Sequence, residues 1–402
     1  TVMLEKMAVT GGSSAISNAT FAVVGSPQQK ALGIEDSWDK FYNELMGRGQ
    51  GYNQKDLVRT MTQNTLKAYE FVVENGGVFE PEVYALDHAT ARSLQPVKSG
   101  AVGMLKPMQK TYKDQYNGKI ITRMRVDEIL LDDAGRAIGV KARKNYHFDM
   151  KLASDDLENM SGETVYIQAR KAVICCTGGH SADKDFRSQE YPHSSILATT
   201  QQHGATASGW RLLANAGARM IHSPFHSVSF PQIPPIMGAG YYVDVTTGKR
   251  IFNELSSTSF IGFELAKLLS ENGGRFPISI LGATGYEKRV EKKHQFMVNV
   301  NAGFCSIHES LEDVAKYYDI PFDALKETHE RYNRFAKQGK DEDFGKDFSR
   351  IGNVDASDAP YYVIVVRPNY NYTLGGALID TSARVISLNS GQPMENLFAV
   401  GE

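Results

Sequence analysis

An α/β fold built on a Rossmann-like dinucleotide-binding domain is what the sequence predicts, and three short apolar runs predict it. Val2-Met3-Leu4-Glu5-Lys6 stops on a carboxylate and leads to Gly11-Gly12-Ser13-Ser14. Ala172-Val173-Ile174-Cys175-Cys176 leads into Thr177-Gly178-Gly179, and Leu397-Phe398-Ala399-Val400 closes on Gly401-Glu402. A strand that ends on an acid is how a dinucleotide fold holds ribose hydroxyls. The glycines beside it let the backbone come close to a ligand.

The chain has 402 residues, more than one simple core accommodates, so two domains are expected. A hydrophobic content of 42% and a charged content of 22% describe an ordinary globular composition. Net charge is −2, which argues against a nucleic-acid partner or an anionic membrane surface. No apolar run reaches bilayer length, so no transmembrane segment is expected, and no signal peptide is visible. The compartment, cytoplasmic or exported, stays open. Cys175 and Cys176 are neighbours in a strand and point to opposite faces, which suits packing better than pairing. Without CxxC or CxxCH, no thiolate set for zinc, iron–sulfur or c-type haem is present.

Along the chain, residues 1–6 read as a strand and 7–25 as a small-residue loop. Asp56–Asn75 reads as a helix, with Leu57, Met61, Leu66, Tyr69 and Val72 near helical spacing and Gly76-Gly77 at its end. Arg123–Leu131 and Ala137–Ala142 form a hairpin around Asp132–Arg136. Val165–Gln168 and the Ala172 strand are expected to pair after a polar insert at 145–164. Ser208–Ala218 reads as a short helix. Four of the 14 prolines fall between Pro224 and Pro235, which suggests a crossover out of the first domain. Residues 309–338 read as two helices broken at Pro321, and Lys337–Phe348 as a solvated charged loop. Ala359–Val366 is a strand, and Leu378–Asp380 with Arg384–Ile386 a further hairpin.

Several motifs in this order resemble the FAD-dependent fumarate reductase and flavocytochrome c family, the flavoprotein branch that includes succinate dehydrogenase. LEKMAVTGGSSAIS resembles its second strand and flavin loop, and AVICCTGGHSAD its "ATGGF" strand. TTQQHGATASG resembles "TNHPGATGDG", GKRIFNE resembles "GKRFVNE", and FAVGE resembles "YAAGE". The resemblance covers nearly the whole chain. It implies FAD as cofactor, a discontinuous FAD-binding domain over residues 1–222 and 355–402, and an inserted α+β cap over 223–354. It also implies that the family's first strand and GxGxxG turn precede Val2, and that a Gly-rich segment with a substrate arginine follows Glu402. The substrate pocket is expected between the two domains.

On the cofactor side the resemblance points to Glu5 and Lys6 at the first strand, and to Gly11, Gly12, Ser13, Ser14, Asn18 and Ala19 against pyrophosphate and flavin. It adds the Val126 backbone near the adenine, Thr177, Gly178, Gly179 and Ser208, and Gly401 and Glu402 at the ribitol. A strand-ending TGG is also an ordinary turn, and 7–25 an ordinary loop.

On the substrate side the chain departs from fumarate reductases. Those enzymes pass a hydride from reduced flavin N5 to an alkene carbon while an arginine protonates the other carbon. Here Thr258 stands where that arginine falls after Asn253-Glu254, and an alcohol is a poor acid. A preceding acid and arginine would fall around Gln232–Ala239 and are absent. Ser229, near His226, takes the place of a substrate histidine. "HHTMGG" becomes Asn371-Tyr372-Thr373-Leu374-Gly375-Gly376. Fumarate is therefore not the expected substrate. Tyr372 is the expected proton donor, with Thr258, His226 and Tyr242 as further substrate-side candidates and Tyr241 and Tyr370 as lining. The expected reaction is reduction of an activated carbon–carbon double bond in an enoate or enone, with a haem, iron–sulfur or flavin partner as electron donor. Ketone or steroid desaturation, or electron carriage without catalysis, are the alternatives.

Overall fold

The computed structural model of the chain describes residues 1–402 apart from Asp87, Ser99, 231–237, Glu291, Lys292 and Asn353. The chain divides into two compact units. One comprises Thr1–Phe186, Gln201–Ser223 and Thr373–Glu402, the other Arg187–Thr200 and Pro224–Tyr372. Helices and strands alternate through both units, in keeping with the α/β class expected from the sequence.

In the first unit each acid-ended strand has one parallel partner, and the last is also antiparallel to Arg384–Ile386. Val2–Leu4 pairs with Lys119–Ile121, and Val173–Cys175 with Pro393–Ala399. The Glu5 N–H continues the first ladder to the Ile121 carbonyl, and the Glu5 carbonyl accepts the Met124 N–H. Met124–Leu131 and Ala137–Lys144 form the expected hairpin. Asp132 closes its turn by accepting the Ala134 and Arg136 N–H groups, and Gly135 takes a φ of 77° that its lack of a Cβ permits.

Two local expectations need correction here. Glu163–Gln168 pairs with Ala137–Lys144 rather than with the Ala172 run, whose partner is Pro393–Ala399. Strand character was readable from the alternation of side chains, but the choice of partner is tertiary. The stretch 7–25 is not all loop, since it holds the helix Gly12–Ile16 and the strand Phe21–Ala22 paired to Ser93–Leu94.

Leu212 and Leu213 of the helix Ser208–Asn215 pack with Ile129, Val385 and Leu397 into one core. A second core gathers Val23, Tyr69, Val72, Phe79 and Leu94 beneath the helix Lys55–Glu74. Beside it, fully buried Arg92 binds Asp36 through two nitrogens at 2.9 and 2.8 Å and Glu44 at 2.7 Å.

The second unit centres on a four-stranded antiparallel sheet in the order Tyr241–Val243, Ile278–Leu281, Tyr361–Val365, Cys305–His308. Helices Leu311–Tyr318 and Phe322–Gln338, separated at Pro321, cover one face with Val314, Leu325, Tyr332 and Phe335. Because Tyr361–Val365 is an interior strand of this sheet, residues 355–372 go with the cap-like unit, not with the first domain where the sequence put them. Residues 187–200 do the same. Lys337–Phe348 is not a solvated loop throughout. Asp341, Lys346 and Phe348 are buried, the two charges against Arg250 and Glu254. Pro231, Pro234, Pro235 and Gln232, part of the expected crossover, lie outside the described residues.

Candidate functional site

In the first unit, two strand ends meet the start of the helix Ser208–Asn215, and the end of the last strand joins them through Gly179. From the first strand, the Lys6 ammonium donates to Thr206 Oγ1 at 2.6 Å and to Ser208 Oγ at 3.4 Å. Gly204 comes so near Met7 that a Cβ there would stand 2.8 Å from its sulfur. From the Val173–Cys175 strand, Thr177 presses on Gly209, where a Cβ would stand 1.8 Å from Thr177 Oγ1. From the last strand, Glu402 Oε1 accepts the Thr373 N–H at 2.8 Å and its hydroxyl at 3.0 Å. A Cβ on Gly179 would stand 2.1 Å from both Glu402 Oε1 and Thr373 Oγ1. Residues 5–7, 177–179, 206–209 and 401–402 thus build on one another.

Charge fixes this arrangement. Asp156, nearly fully buried, lies 3.6 Å from Lys6, 3.6 Å from Arg125 and 3.0 Å from Arg211. It also accepts the Thr206 hydroxyl at 3.0 Å, and Arg211 reaches Asp183 at 3.0 Å. Burial pushes the Lys6 pKa down, opposed by Asp156 and Asp155. Burial raises the Glu5 carboxyl, opposed by the Met7 N–H it accepts at 2.8 Å.

Thr206, Asp156 and Thr373 are the contacts the sequence did not single out. Thr206 and Thr373 sit inside motifs already noted, GATASG and YTLGG. Asp156 lies in the polar insert and carried no local signal.

The backbone fits a flat, phosphate-bearing cofactor. Gly12, Gly178 and Gly401 take φ values of 48°, 77° and 85°, and no atom comes within 4 Å of where a Cβ would stand on any of them. Three small-residue turns that leave this space open, beside one acid at each outer strand end, match the donor set a dinucleotide needs. Ser13 and Ser14 lie in the helix Gly12–Ile16, Ala19 follows it at φ 52°, and Asn18 is exposed. Val126 belongs to the hairpin, where its side chain packs on the Ile129 core and the register shifts directly after it.

A model of the FAD binding domain family matches residues 1–402. The chain belongs to this family. FAD is its cofactor, and Glu5, the glycine turns and Glu402 are the groups that suit it. The chain is 28% identical to the acrylate reductase flavoprotein subunit of Shewanella woodyi, over all of this chain and 79% of that protein. It is 26% identical to the urocanate reductase of Eggerthella lenta, over all of this chain and 65% of that protein. Among solved structures, the open conformation of a flavocytochrome c3 fumarate reductase matches at a TM-score of 0.71 with 23% identity, covering all of this chain and 68% of that one. A 3-ketosteroid-Δ4-(5α)-dehydrogenase from Rhodococcus jostii RHA1 matches at 0.76 with 20% identity, covering all of this chain and 84% of that one. Both structures share the fold of this FAD-binding chain.

The four substrate-side candidates lie in the second unit and differ in exposure. Tyr372 is 42% exposed at the end of the strand Asn369–Thr373. Thr258 opens the helix Thr258–Glu271, its hydroxyl 3.0 Å from Ser227 Oγ, with the Ser257 hydroxyl capping the helix through the Phe260 N–H. His226 differs from expectation. It is fully buried, its ring stacked 4.2 Å from Tyr370 and its Nδ1 3.1 Å from the Pro224 carbonyl. Burial pushes its pKa down to about 4, so it is neutral at pH 7 and a packed core imidazole. Tyr242 is also a core residue, packed edge-on against Phe252, and burial pushes its phenol pKa up. Arginine is absent from positions 255–259, and the acid and arginine positions near Gln232 fall mostly outside the described residues.

Proposed function

We propose that this chain, loaded with FAD, reduces the activated double bond of an enoate or enone other than fumarate. The observation that carries the reading is the exposed phenol of Tyr372, directly preceding Thr373, whose N–H and hydroxyl hold Glu402. Names among the relatives, acrylate reductase and urocanate reductase, belong to enzymes that act on such alkenes. Bound FAD supplies the hydride equivalent. The chain's part is to hold the alkene and to stabilise the negative charge that grows on its conjugated carbonyl.

A phenol does both tasks of the missing arginine in weaker form. It hydrogen-bonds the carbonyl oxygen and passes a proton as charge builds. Thr258 keeps the place of the family's acid but, paired to Ser227, serves as a hydrogen-bonding wall. The loss of cationic and imidazole groups from this stretch disfavours a small dicarboxylate. Electrons reach the flavin from a separate haem, iron–sulfur or flavin donor. The relatives named "flavoprotein subunit" and "fumarate reductase (cytochrome)" support that reading.

The test is anaerobic photoreduction of the FAD-loaded protein, followed by acrylate, urocanate or fumarate. Reoxidation by acrylate or urocanate but not fumarate is expected. Tyr372→Phe is expected to slow it by roughly 10²-fold or more with the flavin retained. Reoxidation by no alkene, or an unchanged rate in Tyr372→Phe, overturns the reading.

A further inference from the structure

We infer that Lys346 is a positioning residue, holding the turn Asn253–Ser257 and the strand Tyr241–Val243 in place from the far loop 339–347. Its ammonium is buried and fully used. It donates to the Gly240 carbonyl at 2.7 Å and to Tyr332 Oη at 2.9 Å, and it lies 3.2 Å from Glu254 Oε2. An ammonium has three N–H donors, and all three have acceptors.

The lysine does not act alone. Arg250 grips both oxygens of Glu254 at 2.8 Å and reaches Asp341 Oδ1 at 2.9 Å. Asp341 Oδ2 accepts the backbone N–H of Lys346 at 2.9 Å. Two cations thus face two carboxylates with no net charge, the condition under which buried ions are tolerated. Glu254 Oε1 also accepts the Tyr242 N–H at 3.2 Å, which carries the restraint into the strand. A second tie runs beside the first, since Asn253 Nδ2 donates to the Phe344 carbonyl at 3.3 Å while Asn253 Oδ1 accepts the Leu255 N–H at 2.9 Å. Both ties end on the two residues that open the turn.

The turn runs directly into the helix Thr258–Glu271, so the loop sets where Thr258 stands. Only the importance of Thr258 rests on the function proposed above. Removing one partner of a buried ion cluster leaves the other charges uncompensated, so the turn should loosen rather than shift quietly. A displacement of about 1 Å at a substrate-facing group can lower turnover by roughly 10²-fold.

The test is hydrogen–deuterium exchange on the FAD-loaded full chain, comparing wild type, Lys346→Met and Lys346→Arg. Lys346→Met is expected to speed exchange at Tyr242 and over 253–261 while Cys305–His308 and Leu311–Tyr318 stay unchanged, with Lys346→Arg partly restoring protection. With an alkene that the wild type reduces, kcat should fall while KM changes little. If Lys346→Met does not fold, Asn253→Asp, which keeps the acceptor for Leu255 but loses the donor to Phe344, should show the same localised change. Unchanged exchange over 253–261, or a rise spread evenly over the chain, overturns the inference. Exchange needs no substrate, so failure to find an alkene bears on the proposed function alone.

Discussion

Burial holds His226 neutral, against a hydrogen bond to the Pro224 carbonyl that favours the charged ring. One ring nitrogen is committed to the Pro224 carbonyl, Tyr370 stacks on one face, Phe263 lies 4.9 Å away, and the other nitrogen is buried without a partner. With its pKa at about 4 in the fold against 6.5 for a free imidazole, the unfolded chain takes up a proton first as pH falls. Stability is therefore intact above pH 6.5 and declines between 6.5 and about 4. A gap of this size amounts to about 3 kcal/mol at the acid end. Replacing His226 by Asn, which keeps a donor for Pro224 but cannot titrate, should flatten that part of the urea-midpoint profile against pH. The same slope in both proteins would show that other groups carry it. Nearness to the position of the family's substrate histidine suggested chemistry here. Only the burial, supplied by residues distant in sequence, shows that the ring is packing.

The helix Thr258–Glu271 lies close against the strand His226–Ser229 because Gly262 offers no side chain. A Cβ there would stand 2.7 Å from Val228 Cγ1 and 3.3 Å from His226 Nε2. Gly262→Ala pits two effects against each other. Helix propensity favours alanine by up to about 1 kcal/mol, while overpacking costs about 1–3 kcal/mol. The clash should win, because the near atom belongs to a buried, β-branched valine with little room to turn. A lowered thermal midpoint is expected, and a raised one would show that the strand gives way. Elements of this kind were legible where their signals are local: the Asp132–Arg136 hairpin, the break at Pro321, and the acid-ended strands. Partners were not. Nothing near Glu163–Gln168 tells which strand it joins. Likewise nothing in Lys340-Asp341-Glu342-Asp343 tells that Arg250, some ninety positions earlier, draws Asp341 out of water.

At the scale of the molecule, the residues sort by unit. Every cofactor-side residue, from Glu5 to Glu402, falls in the unit made of Thr1–Phe186, Gln201–Ser223 and Thr373–Glu402. Thr258, His226, Tyr242 and Tyr372 all fall in the other. The insertion is visible in one sheet, where Val173–Cys175 from before it pairs with Pro393–Ala399 from after it. Its borders were not readable, because the strand Tyr361–Val365 is apolar enough for either sheet and is placed by its ladder to Ile278–Leu281. The units have separate cores, one around Leu212 and Leu397 and one around Ile280 and Leu325. Binding to one should therefore act unequally on the two. FAD at about 100 times its Kd adds about 2.7 kcal/mol to the stability of whatever it binds. With two cores, all-or-none unfolding is not assured. Added FAD should protect the amides of Leu212 and Leu397 from exchange far more than those of Ile280 and Leu325. Equal protection in both cores would mean that cofactor binding is shared, and that the assignment of the strand ends as its holder is wrong.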